Sequence, residues 1–346
     1  MSKLRSLLIF CSWSSACTII AQPPAGYYDS AQGLNGPALR TALYNIIDGQ
    51  WVASNAGLWT YFQQTDDRPD GYVWDLYSDV PGGTAPYVFQ FVSDQCGTYN
   101  GEGDCYNREH TFPKSWFNDA PPMDTDLHHV YPTDAWVNQQ HGNLPYGEVG
   151  SADWTSQNGT SVGDNTFPGY SGTVCEPIDA FKGDLARTYF YMMTRYLPNI
   201  SGWSSPMLQG NDLSSWAENM LLEWHLNDPV STKEIERNNA VFAIQNNRNP
   251  FIDQPNWVIN IWGPTAGMSE PPFPSNWTVT STEAGLELTR SVPSSAHVRV
   301  HDALGRTYWQ RDWNSARLTV PMEDHHGLLL VEVLGADGRT ARRVLR

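Results

Sequence analysis

Positive charge is what this sequence has least of: 21 Lys and Arg stand against 37 Asp and Glu in 346 residues, a formal net charge of −16. The deficit is local. Residues 1–21 carry two basic side chains and no acid, residues 22–268 carry ten basic against 28 acidic, and residues 269–346 carry nine of each. The larger part of the chain therefore has no broad basic footprint of the sort that clamps nucleic acid. A polyanionic partner would have to be met by a local basic strip and by cations from solution, with modest affinity and a shallow dependence on salt. Long apolar runs are missing as well. The stretch Leu7–Ile20 is too short for a membrane span, and no other approaches that length. The motif H-E-x-x-H does not occur, which weighs against a metalloprotease.

Lys3 and Arg5 precede that apolar stretch and Ala21 is an acceptable cleavage position, so residues 1–21 read as a secretory signal. Lipoprotein processing at Cys17 is the weaker alternative, because Ser14-Ser15-Ala16-Cys17 has no apolar residue at its first position. The processed chain keeps three of the five cysteines, Cys96, Cys105 and Cys175. An oxidising exterior lets Cys96 and Cys105 pair across a polar, Gly-rich loop; Cys175 is left over and has no metal-site spacing.

The chemistry concentrates between residues 107 and 143, in NREHTFPKSWF and then DLHHVYPTDAWVNQQHGN. Cutting a phosphodiester needs an activated in-line water and neutralisation of charge on the phosphate and the departing 3′ oxygen. A neutral His does the first and a hard divalent cation the second. Hard cations take oxygen ligands, so Glu109 and the amide oxygen of Asn138 are the expected metal ligands and His110 the expected general base. Neighbours on a flat strand face opposite ways, and Glu109 and His110 serve one site only if the strand ends there, near Pro113. Asp126–Tyr131 reads as the returning strand, Pro132 as a helix start, and Asn138 falls about two turns into that helix. His128 and His129 would then occupy opposite faces of one strand, one packed and one lining a cleft that touches substrate. His225 reads as structural.

Elsewhere, helices are expected over residues 36–47, from Asp184 to Tyr196, and from the capping box Ser231-Thr232-Lys233-Glu234 to about Asn246. Residues 147–173 read as a long polar surface loop. Beyond Trp262, residues 263–275 are rich in Pro and Gly and read as a linker. Residues 276–346 alternate in short runs (Val298 and Val300; Leu318 and Val320; Leu329, Val331 and Val333), which predicts a small antiparallel β-sandwich without a catalytic constellation.

The motif NREH, the His-His and Asn138 that follow, and the blocks VWDLYSD near Trp74, EPIDAFKGDLART from Glu176, DPVSTKEIERNNAV from Asp228 and IQNNRNPFIDQPNWV from Ile244 together resemble the bacterial endonuclease I family over roughly residues 70–262. The resemblance implies a ββα-metal (His-Me) finger inside an α+β catalytic domain spanning 22–262, and hydrolysis of DNA, often of RNA, with little sequence preference, a Mg²⁺-type ion (Mg²⁺, Mn²⁺ or Ca²⁺) and 5′-phosphate products. It carries the base onto His110 and the metal ligands onto Glu109 and Asn138, and it implies that a main-chain carbonyl near Asp124–Asp126 holds the base, which would fix its tautomer. In one respect the chain departs from relatives that place an Arg in the loop between the strands: residues 111–125 offer only Lys114 as a cation. Lys114, or Arg187, Arg237 or Arg248 from the downstream blocks, is the expected substitute. That departure and the net charge motivate the alternative of a noncatalytic extracellular binding protein on the same scaffold.

The C-terminal pattern VRVHDALGR, GLLLVEV and GRTARRVLR resembles the sorting domain of type IX secretion cargo, with a carbohydrate-binding module as the competing reading. The partners implied are nucleic acid and a secretion machinery. The expected state is a monomer at the cell surface or outside the cell.

Overall fold

The computed structural model describes residues 23–263, 277–282, 285–290, 295–302, 306–322, 328–335 and 338–345. The expected signal segment, and the expected linker apart from Gly263, lie outside the described residues.

Helix α1 (Gly36–Ile47) starts with Pro37 in its first turn, where a missing N–H costs nothing, and buries Leu39, Leu43 and Ile47 at helical spacing. Helix α2 (Leu58–Thr65) precedes the strand pair β1 (Tyr106–His110) and β2 (Val130–Asp134), which run antiparallel with Glu109 opposite Tyr131 and His110 opposite Val130. Helix α3 (Ala135–His141) follows directly. Pro132 does not open this helix as its sequence position suggests. It sits mid-strand, which a two-stranded sheet tolerates because both strands are edges. The helix is opened instead by Asp134, whose side chain accepts from Trp136 N and Val137 N, so Asn138 lies one turn in and not two. The returning strand likewise begins at Val130, and Asp126–His129 form the turn before it.

Residues 147–173 are not a loop. They build most of an antiparallel sheet of β3 (Val149–Thr155), β4 (Ser161–Asn165) and β5 (Thr173–Glu176). β3 is mostly exposed, and β4 and β5 are short with few apolar residues, so no apolar alternation marks the sheet. Helix α4 (Asp179–Arg195) begins five residues before the expected Asp184 and is buried throughout from Phe181 onward. A short pair, β6 (Leu208–Gln209) and β7 (Asp212–Leu213), leads to α5 (Ser215–Asn227), α6 (Thr232–Gln245), α7 (Pro250–Asp253) and α8 (Asn256–Trp262), and α5 and α7 pack on α4 beside α1. The capping box at Ser231 is formed, and its Glu234 reaches further, taking Arg187 of α4 at 2.5 and 2.8 Å. A fully buried helix tolerates an Arg only when it is paired, and removing one partner of such a pair costs about 3–5 kcal/mol.

The C-terminal part consists of β8 (Trp277–Thr282), β9 (Gly285–Arg290), β10 (Ala296–Asp302), β11 (Thr307–Trp313), β12 (Arg317–Pro321), β13 (Leu328–Gly335) and β14 (Gly338–Leu345). They form two antiparallel sheets, ordered β11-β10-β13-β14 and β12-β9-β8. Leu286, Leu288 and Val320 of one sheet and Val298, Val300, Leu329 and Val331 of the other meet in a single hydrophobic cluster, as the alternation predicts. Among the described residues, no helix is long and apolar enough to cross a membrane.

His225 ties α5 to α8: its Nε2 donates to Pro255 O at 3.0 Å and its Nδ1 lies 3.5 Å from Arg187 Nη1. Burial, and then the Arg187 charge, push its pKa down from 6.5 to about 3. Between those values the unfolded chain binds a proton that the folded chain refuses, so this group subtracts stability as pH falls. His225→Gln should therefore lose less stability than wild type between pH 7 and pH 5 in urea unfolding. Equal losses would show that His225 is not held neutral.

Candidate active site

The site is built on five residues of β1. Side chains alternate along a strand, so Asn107 and Glu109 leave one face and Arg108 and His110 the other. On the first face α3 lies across the strand in two rungs. Asn138 Nδ2 donates to Asn107 Oδ1 at 2.7 Å, and one turn later His141 Nδ1 meets Glu109 Oε1 at 2.5 Å. Helical spacing, three residues from Asn138 to His141, matches the two-residue step from Asn107 to Glu109. Tyr77 donates its hydroxyl to the same Oε1 at 2.8 Å, and its ring is buried. His141 Nε2 donates in turn to Leu144 O at 3.0 Å. Glu109 is thus held through one oxygen, and among the described residues no donor reaches its Oε2 or the amide oxygen of Asn138.

On the second face His110 Nε2 donates to the main-chain carbonyl of Asp124 at 2.8 Å. A carbonyl can only accept, so the proton sits on Nε2 and Nδ1 keeps a free lone pair. Burial, reinforced by His129, lowers the pKa of His110 to about 3, and the charges of Lys114 and Arg108 add to the effect. The imidazole is neutral at ordinary pH. β1 ends at His110, and Thr111 closes it by donating through both N (3.1 Å) and Oγ1 (3.0 Å) to His129 O.

His128 and His129 lie in the turn before β2, both buried, and not on the two faces of a strand. His129 Nε2 donates to Met123 O at 2.6 Å, its ring sits edge-on to His110 at 5.6 Å, and its Nδ1 has no partner. His128 Nε2 donates to Asn247 O at 3.2 Å. Both depart from the two-faced strand arrangement the sequence suggests because Asp126 folds this turn inward, accepting from His128 N, Gln245, Tyr191 and Tyr196.

The expected cations are all paired with carboxylates. Lys114 is exposed and pairs with Asp119 at 2.8 Å. Arg187 is enclosed by Glu234 and Asp184. Arg237 pairs with Asp66 at 2.7 Å and lies over the Tyr131 ring, and Arg248 is gripped by Asp253 at 2.6 and 2.7 Å. Cys96 and Cys105 form a disulfide, with Cα atoms 5.8 Å apart, that leads into β1, and Cys175 is a buried free thiol. Sequence reasoning missed Asn107, His141 and Tyr77. The strand and helix periods around Glu109 and Asn138 mark the first two; Tyr77 lies in the block VWDLYSD but has no local signature.

Among the described residues no three His, Cys, Asp or Glu side chains gather as a metal cluster. The arrangement instead offers one carboxylate and one amide oxygen on one side of a strand end and a neutral base on the other, equipment for activating a water against an anionic ester. Comparison with known proteins identifies the class as nuclease. The Endonuclease I family model matches residues 35–256. An extracellular ribonuclease of Bacillus amyloliquefaciens is 33% identical over 272 residues, 76% of this chain and 86% of the relative. One from Bacillus subtilis is 33% identical over 248 residues, 68% and 78% of the two chains, and an endonuclease-1 of Buchnera aphidicola is 29% identical over 130 residues, 38% and 45%. The chain belongs to the endonuclease I family.

Tyr77→Phe removes the hydroxyl donor to a buried carboxylate and should destabilise the fold by about 1–3 kcal/mol in chemical denaturation at neutral pH. No measurable change would mean that His141 alone holds Glu109.

Proposed function

We propose that this protein is a secreted, divalent-cation-dependent endonuclease of low sequence preference that hydrolyses DNA and RNA phosphodiesters to 5′-phosphate ends. The observation that carries the reading is the bond from His110 Nε2 to Asp124 O, which leaves a neutral imidazole with its Nδ1 lone pair free at the end of the strand that carries Glu109. In this reading β1, β2 and α3 are the ββα-metal finger. His110 Nδ1 takes the proton of the attacking water, and the Asp124 carbonyl steadies the imidazolium that results.

The oxygens of Glu109 and Asn138 suit a hard cation such as Mg²⁺, Mn²⁺ or Ca²⁺. Asn107 occupies the amide nitrogen of Asn138, so its oxygen is the atom left to bind, while Tyr77 and His141 fix Glu109 through Oε1. Two protein oxygens, with water and substrate oxygens as the other ligands, match the way such ions sit in phosphate chemistry. When bound, the ion supplies charge neutralisation for the phosphate and the departing 3′ oxygen. The residues around Glu109 and Asn138 serve to orient these two donors, as outer-shell partners do in metal sites.

RNA belongs in the substrate range because the two Bacillus relatives are named ribonucleases, and their description as extracellular agrees with a signal over residues 1–21. Residues 276–346 are read as a sorting domain for type IX export, the two-sheet sandwich being the part the machinery would recognise. Digestion of supercoiled plasmid and of RNA by the secreted protein, with Mg²⁺ and with EDTA, tests the chemistry. His110→Ala should lower the rate about 10²–10⁴-fold with the fold intact. An unchanged rate in that variant would remove His110 from the mechanism, and full activity in EDTA would remove the cation.

A further inference from the structure

Ten Lys and Arg side chains lie within residues 23–263. Nine of them form ion pairs with carboxylates. Arg108 is the tenth, and among the described residues no carboxylate pairs with it. In a segment with nearly three acids for every base, one unpaired cation two residues before the proposed base is where charge is left for a substrate.

Arg108 stands on the same strand face as His110, close enough for its charge to act on that imidazole. It is partly exposed and preorganised. Its guanidinium lies over the Trp59 ring at 4.8 Å, and Nη1 donates to Asn55 O at 3.0 Å and to the Asn55 side chain. Among the described residues Nε and Nη2 make no hydrogen bond, so one edge of the fork is free. A planar fork backed by an aromatic ring and held at one corner suits bidentate binding of a phosphate group.

We propose that Arg108 binds a phosphate of the nucleic-acid backbone next to the bond being cut, the role for which residues 111–125 supply only Lys114. This rests on the reading of His110 as the base. The free corner of the fork grips two non-bridging oxygens, while Trp59 and Asn55 hold the guanidinium so that little ordering is left for binding to achieve.

Cleavage kinetics of Arg108→Ala and Arg108→Lys, run beside His110→Ala, test it. Arg108→Ala should lose about 10- to 100-fold in kcat/KM, the loss of one charge-assisted contact, and Arg108→Lys should recover part of it. In the His110→Ala background, adding Arg108→Ala should weaken binding of a fluorescent single-stranded oligonucleotide and flatten the slope of log Kd against log salt by about 0.7, one phosphate contact. A residue that only braced α2 against β1 would change thermal stability and leave that slope alone. Unchanged Kd and slope in the folded double variant overturn the proposal, and Arg108→Gln is read the same way should the Ala variants not fold. His110→Ala separates the two readings: persistent cleavage there sinks the mechanism of the site, whereas lost cleavage with a normal Arg108→Ala sinks only the role of Arg108.

Discussion

The buried carboxylate of Asp126 is the constraint on which the site depends. It accepts from His128 N and Gln245 through Oδ1 and from Tyr191 and Tyr196 through Oδ2, at 2.7–2.9 Å. Burial works against its charged form, but the nearby His128 and His129 and the donors outweigh it and keep the pKa below the usual range. Through these bonds Asp126 pins the Met123–His129 turn to α4 and α6. The carbonyls of that turn are then fixed, Met123 O on His129 within the turn and Asp124 O on His110 at the end of β1. A loop cannot place a carbonyl to within a few tenths of an ångström unless its own backbone is fixed, and here the fixing is done from the core of the protein.

The same economy governs the arginines. In an acidic chain each cation inside the fold finds several carboxylates competing for it, and the outcome is a set of buried pairs: Arg187 with Glu234, Arg237 with Asp66, Arg248 with Asp253. Each joins segments far apart in sequence or locks a turn, and each is costly to break because the partner would be stranded. The downstream blocks that resemble the endonuclease I family are rich in these pairs. Their residue types therefore reflect the demands of packing α4 and α6 at least as much as those of binding a substrate.

How much of this the sequence disclosed follows the range of the forces involved. Patterns that are local and repetitive were legible: the apolar stripe of α1, the capping box at Ser231, the alternation of β10, β12 and β13. The β3–β4–β5 sheet was not, because β3 is mostly exposed and β4 and β5 are short and poor in apolar residues, so they carry no period to read. The start of α3 was misplaced because Pro132 is a helix-opening signal only where no strand claims it, and pairing with β1 is a contact 24 residues away that local pattern cannot report. At the site, Glu109, His110 and Asn138 were visible as a motif. Tyr77 was not, since what defines it is a three-dimensional meeting with His141 on a single carboxylate oxygen, whereas His141 is marked only by its helical spacing from Asn138.

Adjacency of Glu109 and His110 is at first sight awkward, since neighbours on a strand point apart. The structure makes use of that divergence. Glu109, leaving one face, is met by α3 and Tyr77, which restrain it; His110, leaving the other, is met by the Asp124 carbonyl, which sets its tautomer. The two side chains are thus braced by different parts of the protein and neither hydrogen-bonds to the other. A direct bond from the carboxylate would stabilise the protonated imidazole and draw the base into an ion pair; a carbonyl orients it while contributing no full charge. Separate bracing also means that the neutral state of His110 is set mainly by its own burial and by the positively charged or imidazole neighbours on its face, His129, Lys114 and Arg108. In the proposed mechanism a substrate at the end of β1 would have to meet groups from both faces of the strand, and the strand ends at His110.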